Sequence, residues 1–386
     1  MALPDDRRID ISRFPQQIQR FLADEAPAQA RMVVARGTLP MPPVVQACAL
    51  YQLQVTSDDE VRQAAVDTMK RMAPGVLRQV ASEALPPVVL DWIADLFSTQ
   101  QPVVRAVLLN THTDGDTFVR LARVGDEATT ETIALNQARL LSTPGLIQAL
   151  YLNRNTRAST ADRIVDFGVR SKVDLSDLPC YDEILAAIQG TTPVSEAQAA
   201  AADAAFREMA ARAAAEEGAP EEEIPEDGPT PDDDAEEGDE PAEAEPEKGG
   251  SKSAAGRIAD LNIAQRVRLA MLGSRGDRAV LIKDSNKIVT RAVIRSPAVT
   301  DAEAMMYAAL KSLPEEIVSY IAHNKKWTRH YQMKKLLVYN PKTPVGDAMR
   351  FLPYLRAGDL KSVARSRAIP GPVAKAASQM MKSRLR

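Results

Sequence analysis

Apolar residues recur at three- and four-residue spacing in short stretches along both halves of the chain, and the period-two alternation of a half-buried strand is almost absent. In the first half this spacing predicts helices over 12–22, 43–53, 60–72, 87–97 and 160–169. In the second half it predicts them over 263–272, 301–310, 315–322, 345–355 and 372–381. Start signals accompany several of them. Ser57 with Glu60 and Thr300 with Glu303 have the spacing of capping boxes, and Ser159 with Asp162 is a looser version. Pro86, Pro314 and Pro372 fall at helix starts, where a missing amide proton costs nothing. The expected fold class is all-α.

The two halves also echo one another. AVLLN ends at Asn110, IALN at Asn136 and LYLN at Asn153; AVIRS ends at Ser296, IAHN at Asn324 and LVYN at Asn340. The intervals are 26 and 17 residues in the first half, then 28 and 16 in the second. Each asparagine closes an apolar stretch, where its tolerance of left-handed backbone and its amide both suit a helix end. Asn110, Asn136, Asn153, Asn324 and Asn340 are therefore expected to be structural repeat positions. A unit of this kind cannot bury its apolar face alone, so neighbours must stack.

The pattern apolar-x-x-Asn-x-x-Thr followed by Pro or Ser and a helix is clearest in YLNRNTRASTADRIVDF at 151–167 and VYNPKTPVGDAMRFL at 338–352. It resembles the leucine-rich repeat variant class and the wider HEAT-like α-solenoids of bacteria. The resemblance covers roughly two thirds of residues 40–386 outside the central connector. It implies two α-solenoid domains presenting a stacked helical binding surface, and no chemistry. Some leucine-rich variant proteins carry a cysteine cluster for an iron–sulfur centre; Cys48 and Cys180 are isolated, so that feature does not carry over.

Charge divides the chain further. Residues 1–190 hold 19 Lys and Arg against 23 Asp and Glu, residues 191–250 hold 3 against 20, and residues 251–386 hold 26 against 9. The expected organisation is an N-terminal helical-repeat domain (1–190), an alanine-rich helical segment (191–217), an acidic disordered linker (218–256) and a basic C-terminal helical-repeat domain (257–386). The acidic stretch reads either as a solvating linker or as a mask competing with an anionic partner for the basic domain. Two cysteines cannot build a disulfide framework, which points to a reducing, cytoplasmic setting. No apolar run approaches the roughly 18 residues needed to span a bilayer, and the opening MALPDDRRID lacks the apolar core of a secretory leader.

Candidate chemistry is thin. His112 lies in THTDGD with Asp114 and Asp116 nearby, but the spacing fits neither an EF-hand nor a zinc motif, so the segment reads as a turn with Asp114 as N-cap. His323 reads as a helix-end residue, and Cys48 as a small core residue. GSRGDR at 273–278 and KGGSKSAAG at 248–256 lack the strand that a phosphate loop requires. No metal or cofactor is expected. The feature with content is NKKWTRHYQMKK, in which Lys325, Lys326, Trp327, Arg329, His330, Tyr331, Lys334 and Lys335 form a basic stripe with two aromatics. On a helix Lys326, Arg329 and His330 would share one face, with Met333, Leu336 and Leu337 facing a core. Further cations stand at Arg356, Lys361, Arg365 and Arg367 and in the tail from Lys382 to Arg386.

Three functions follow. The first is a non-enzymatic scaffold that binds protein partners through its helical grooves, the acidic segment tuning access to the basic domain. The second is binding of nucleic acid or another polyanion by the basic domain. The weakest is an enzyme acting on nucleic acid, for which Asp347 and Asp359 are the nearby carboxylates.

Overall fold

The computed structural model describes residues 8–23, 25–55, 58–190, 196–216 and 254–384. Among these the chain is all-α, with short 3-10 turns and no strand. It divides into two compact units, Met1–Leu175 and Ser176–Arg386. Unit 1 begins with α1 (Gln16–Leu22), α2 (Ala28–Ala35), α3 (Pro43–Gln54), α4 (Asp59–Lys70), α5 (Pro74–Ser82) and α6 (Pro87–Leu96). It continues with α7 (Gln101–Leu109), α8 (Gly115–Val124), α9 (Glu127–Ala134), α10 (Gln137–Ser142), α11 (Leu146–Tyr151) and α12 (Ala158–Arg170). Unit 2 holds α13 (Tyr181–Gln189), α14 (Glu196–Glu216), α15 (Ala254–Ala259), α16 (Ile263–Leu272), α17 (Arg275–Leu281) and α18 (Lys287–Arg295). After them come α19 (Asp301–Ala309), α20 (Glu315–His323), α21 (Tyr331–Tyr339), α22 (Val345–Phe351), α23 (Ala357–Arg365) and α24 (Gly371–Arg384).

Local chemistry explains the helix limits. Asp58, Asp114, Asp126, Asn262, Ser274 and Thr300 accept hydrogen bonds from first-turn amides that no helical carbonyl can reach. Thr300 with Glu303 completes a capping box. The cap of α4 is Asp58, and Ser57 lies outside the described residues. Ser159 and Asp162 sit inside α12 rather than ahead of it, because the chain turns into the helix at the extended Arg157. Two expected helices are shortened by proline. Pro15 separates a 3-10 turn at Ile11–Arg13 from α1, and Pro353 converts the end of α22 into a 3-10 turn at Leu352–Tyr354.

Within each unit, helices pack against their next-but-one neighbours: α5 on α7 and α7 on α9 in unit 1, and α19 on α21 and α21 on α23 in unit 2. Polar bonds fix the direction of these pairs. Gln101 at the start of α7 donates to Thr129 at the start of α9, at 3.2 Å. Asn110 beyond the end of α7 reaches the last carbonyls of α5. Successive helices of a row are therefore parallel. Between rows lie the buried side chains, including Leu50, Leu90, Ile93, Phe118 and Tyr151 in unit 1 and Val267, Val293, Tyr307 and Leu337 in unit 2.

The unit boundary falls well ahead of residue 190. α13 packs on α16 and α18, buries Ile184 and Ala187, and pairs Glu183 with Arg295 at 2.9 Å. The alanine-rich α14 is not free-standing either. It buries Phe206, Met209, Ala210 and Ala213, stacks Phe206 under the Arg268 guanidinium at 4.6 Å and pairs Arg212 with Asp277 at 2.9 Å. α15 follows in the same unit, packed on α17. The acidic stretch consequently joins two helices of unit 2 instead of joining the two units. Its residues 217–253, expected to be disordered, lie outside the described residues.

Candidate functional site

The basic run does not form one helical face. Trp327–Arg329 is a 3-10 turn, His330 is extended, and α21 begins only at Tyr331. Lys326, Arg329 and His330 do converge, but upon a carboxylate. Their nitrogens lie 3.2, 3.4 and 3.2 Å from the oxygens of Asp301, the first residue of α19. Burial alone would raise the Asp301 carboxyl; the hydrogen bonds from Lys326 and His330 outweigh it and hold the group below the ordinary carboxylate value. A second carboxylate plays the same part between α21 and α23. Asp359 takes an ion pair from buried Lys335 at 3.0 Å and the hydroxyl proton of Tyr331, and it too is held below its ordinary value despite its burial.

The aromatics are equally engaged. Trp327 is 5% exposed and packs edge-on against Tyr320 at 6.3 Å, so its face is closed to a nucleobase. Tyr331 carries the Arg356 guanidinium over its ring at 4.8 Å, and the Lys334 amine lies 4.9 Å above Tyr354. Lys325 is the member left exposed with no ion pair to a described residue. Met333 and Leu337 face the core, and Leu336 is half-buried. The stripe is thus a set of joints between parallel helices in which five Lys and Arg stand against two carboxylates, and those carboxylates lie 24 to 29 residues away in the chain. Of the two carboxylates considered for catalysis, Asp359 is spent in this way, and Asp347 faces His323 at 3.5 Å and Arg350 at 3.6 Å.

The asparagines divide into two kinds. Asn110, Asn153 and Asn340 make the same three bonds. Each side-chain amide donates to two carbonyls at the end of the preceding parallel helix: Ala81 and Glu83, Ala122 and Gly125, Ala308 and Leu310. Each side-chain oxygen accepts the amide of the second residue onward: His112, Asn155 and Lys342. A Cβ on Gly125 would lie 2.5 Å from the Leu121 carbonyl, so this close approach needs glycine. Asn136 instead caps α10 through the Arg139 amide, and Asn324 turns the chain through the Lys326 amide. None of the five has positive φ; the residue is used for its amide, not for left-handed backbone. Thr113 and Thr343, which close the same turns, donate to the Val107 and Leu337 carbonyls.

The remaining candidates resolve into structure. Asp114 caps α8 through the Gly115 amide, and exposed Asp116 stands in that helix's first turn. His112 lies on the rim of a cavity of about 400 Å³ lined by Phe14, Val44, Val45, Cys48 and Leu85. Ser274 and Asp277 of GSRGDR form a capping box for α17, and the 248–256 segment is described only from Ala254. No group of three or more His, Cys, Asp or Glu among the described residues could hold a metal, and no described helix is long and apolar enough to cross a membrane. Burial pushes the Cys48 thiol up to about 11 and the Cys180 thiol to about 12. From an ordinary value of 9.0 the thiolate fraction of Cys48 at pH 8 falls about 100-fold. Iodoacetamide should therefore alkylate folded protein about 100-fold more slowly than urea-unfolded protein; equal rates measured by mass spectrometry would contradict the half-buried placement of both thiols.

Set against known families, curated proteins and solved structures, the chain matches none.

Proposed function

We propose that the protein is a non-catalytic helical-repeat scaffold that binds protein partners. The observation that carries this reading is the spacing of bonds between elements. In both units, side chains that leave their own helix repeatedly find partners 25 to 32 residues away: Gln101 with Asp126, Arg120 with Asp91, Arg157 with Glu127, Arg278 with Glu303, His330 with Asp301, and Asn340 with Ala308. A chain of stacked helix pairs produces such a period, and its neighbours in a row run parallel as these do. The unit is shorter than the roughly 40–47 residues of HEAT and armadillo repeats, which favours the leucine-rich variant likeness.

Two leucines mark where a partner would sit. Leu109 and Leu135 end the parallel neighbours α7 and α9 and are 68% and 69% exposed. Because α7 and α9 start together at Gln101 and Thr129, these ends are adjacent, and together they make an apolar ridge on a near-neutral unit. The acidic stretch, opposite in charge to the rest of unit 2, tunes access to that unit. In a cross-linking pull-down with the full chain at 300 mM salt, the wild type should retain protein partners that L109E/L135E loses, while the variant's stability changes by no more than about 0.5 kcal/mol. Retention of no protein, or equal retention by the variant, would overturn the reading.

A further inference from the structure

The cations of unit 2 fall into two populations. Some meet an acid, among them Arg212 with Asp277, Arg266 with Asp284, Arg278 with Glu303, Arg291 with Glu316, Arg295 with Glu183 and Lys335 with Asp359, while others such as Lys283, Lys287 and Lys311 stand singly between paired neighbours. The last helical pair is different. From Leu360 to Arg386 the chain carries seven Lys and Arg and no Asp or Glu. Lys361, Arg365, Arg367, Lys375 and Lys382 are exposed, and none forms an ion pair with a described residue.

Helical phase sets the direction of these charges. α23 buries Leu360 and Val363, and α24 buries Val373 and Ala377, as the two helices pack together. Lys361 and Arg365 are one turn apart on the outer side of α23, and Lys375 and Lys382 are two turns apart on the outer side of α24. None of these cations shares a carboxylate of a described residue, whereas Lys326, Arg329 and Lys335 of the Lys325–Lys335 stripe are held by Asp301 and Asp359.

We propose that the outer faces of α23 and α24 bind the phosphate backbone of duplex nucleic acid. Three features select that ligand. The one acid of the two helices, Asp359, is taken up by Lys335 and Tyr331, and the exposed cations have no ion pair to a described residue to break on binding. No Phe, Tyr or Trp occurs between Leu360 and Arg386, so unstacked bases of a single strand have no platform there, whereas a duplex keeps its bases stacked and offers its backbone outward. A lipid surface fits poorly, because the apolar side of α24 is used against α23 and its outer positions are Lys375, Gln379, Lys382 and Ser383. Binding of this kind is independent of sequence and steep in salt. It shares no residue with the leucine ridge of unit 1, so either reading can fail without the other.

The test is fluorescence anisotropy of the full chain with a labelled 20-base-pair duplex of arbitrary sequence between 50 and 200 mM salt. K361E/R365E/K375E should weaken binding at 50 mM salt by at least about 30-fold and reduce the salt slope by about 2–3, near 0.9 for each lost contact. K326E/R329E, at the two exposed stripe cations already paired with Asp301, should change it by less than about 3-fold. Unchanged melting temperatures would show that both variants fold, as exposed positions predict. The proposal is overturned if wild-type protein does not bind duplex at 50 mM salt, if the stripe variant carries the larger loss, or if phosphatidylserine vesicles bind more tightly than duplex.

Discussion

Replacing Asn153 with alanine should lower the stability of unit 1 by about 2–4 kcal/mol, as measured by urea unfolding. Asn153 is 4% exposed, and its amide donates to the Ala122 and Gly125 carbonyls at 2.8 Å each. Those carbonyls close α8, where the helix itself offers no amide proton. Truncation leaves them without these donors, at about 1–3 kcal/mol for each buried group, and removes the acceptor for the Asn155 amide. Part of the loss is offset at Gly125, whose carbonyl also accepts from the exposed Asn155 side chain at 3.0 Å. Asn136→Ala provides the contrast. That residue makes one capping bond to the Arg139 amide, so its loss should cost about 1 kcal/mol. If the two variants unfold at the same urea concentration, the staple contributes nothing beyond a cap and the repeat loses its proposed fastening.

The positions of Asn110, Asn153 and Asn340 are visible in the sequence as ends of apolar stretches, but their work is not. Periodicity locates where a helix stops; it says nothing about which earlier helix lies alongside. The same limit hides the partners of the basic run. A helical wheel drawn on Lys326, Arg329 and His330 shows three clustered cations, and the carboxylate that gathers them stands 25 to 29 residues earlier at Asp301. Local steric rules were also outweighed, since the 3-10 turn at Trp327–Arg329 moves His330 out of the helix that its spacing suggests. α14 presents a different difficulty. Alanine on every side gives it helical propensity without phase, so nothing but Phe206, Met209 and Arg212 marks the face that docks on unit 2. What could have been found earlier is the regular offset between acids and bases. A search for opposite charges about 28 residues apart would have paired Asp301 with Arg329, and Asp91 with Arg120.

Replacing Glu303 with glutamine should cost unit 2 about 3–5 kcal/mol at pH 7, the penalty for stranding a buried charge. Glu303 is 0% exposed and takes both ends of the Arg278 guanidinium, at 2.9 and 3.1 Å, together with the Tyr307 hydroxyl at 3.3 Å. Glutamine keeps the oxygen needed by the Thr300 capping box but removes the charge that Arg278 faces. Burial raises the carboxyl's affinity for a proton, yet the bonds from Arg278 and Thr300 outweigh it and hold Glu303 below its ordinary value of 4.5. Because the folded value is depressed, this contribution is complete above pH 4.5 and is lost as pH falls through the lower folded value. Wild-type stability should therefore decline with acid more steeply than that of E303Q in urea titrations between pH 6 and 3, the two curves converging at the acid end. R278M/E303Q removes both charges while keeping an oxygen for the capping box, and should regain most of what E303Q loses, since no buried charge is then left unpaired. A double variant as unstable as E303Q would mean that the charges hold α17 to α19 through their geometry, and that packing alone cannot replace them.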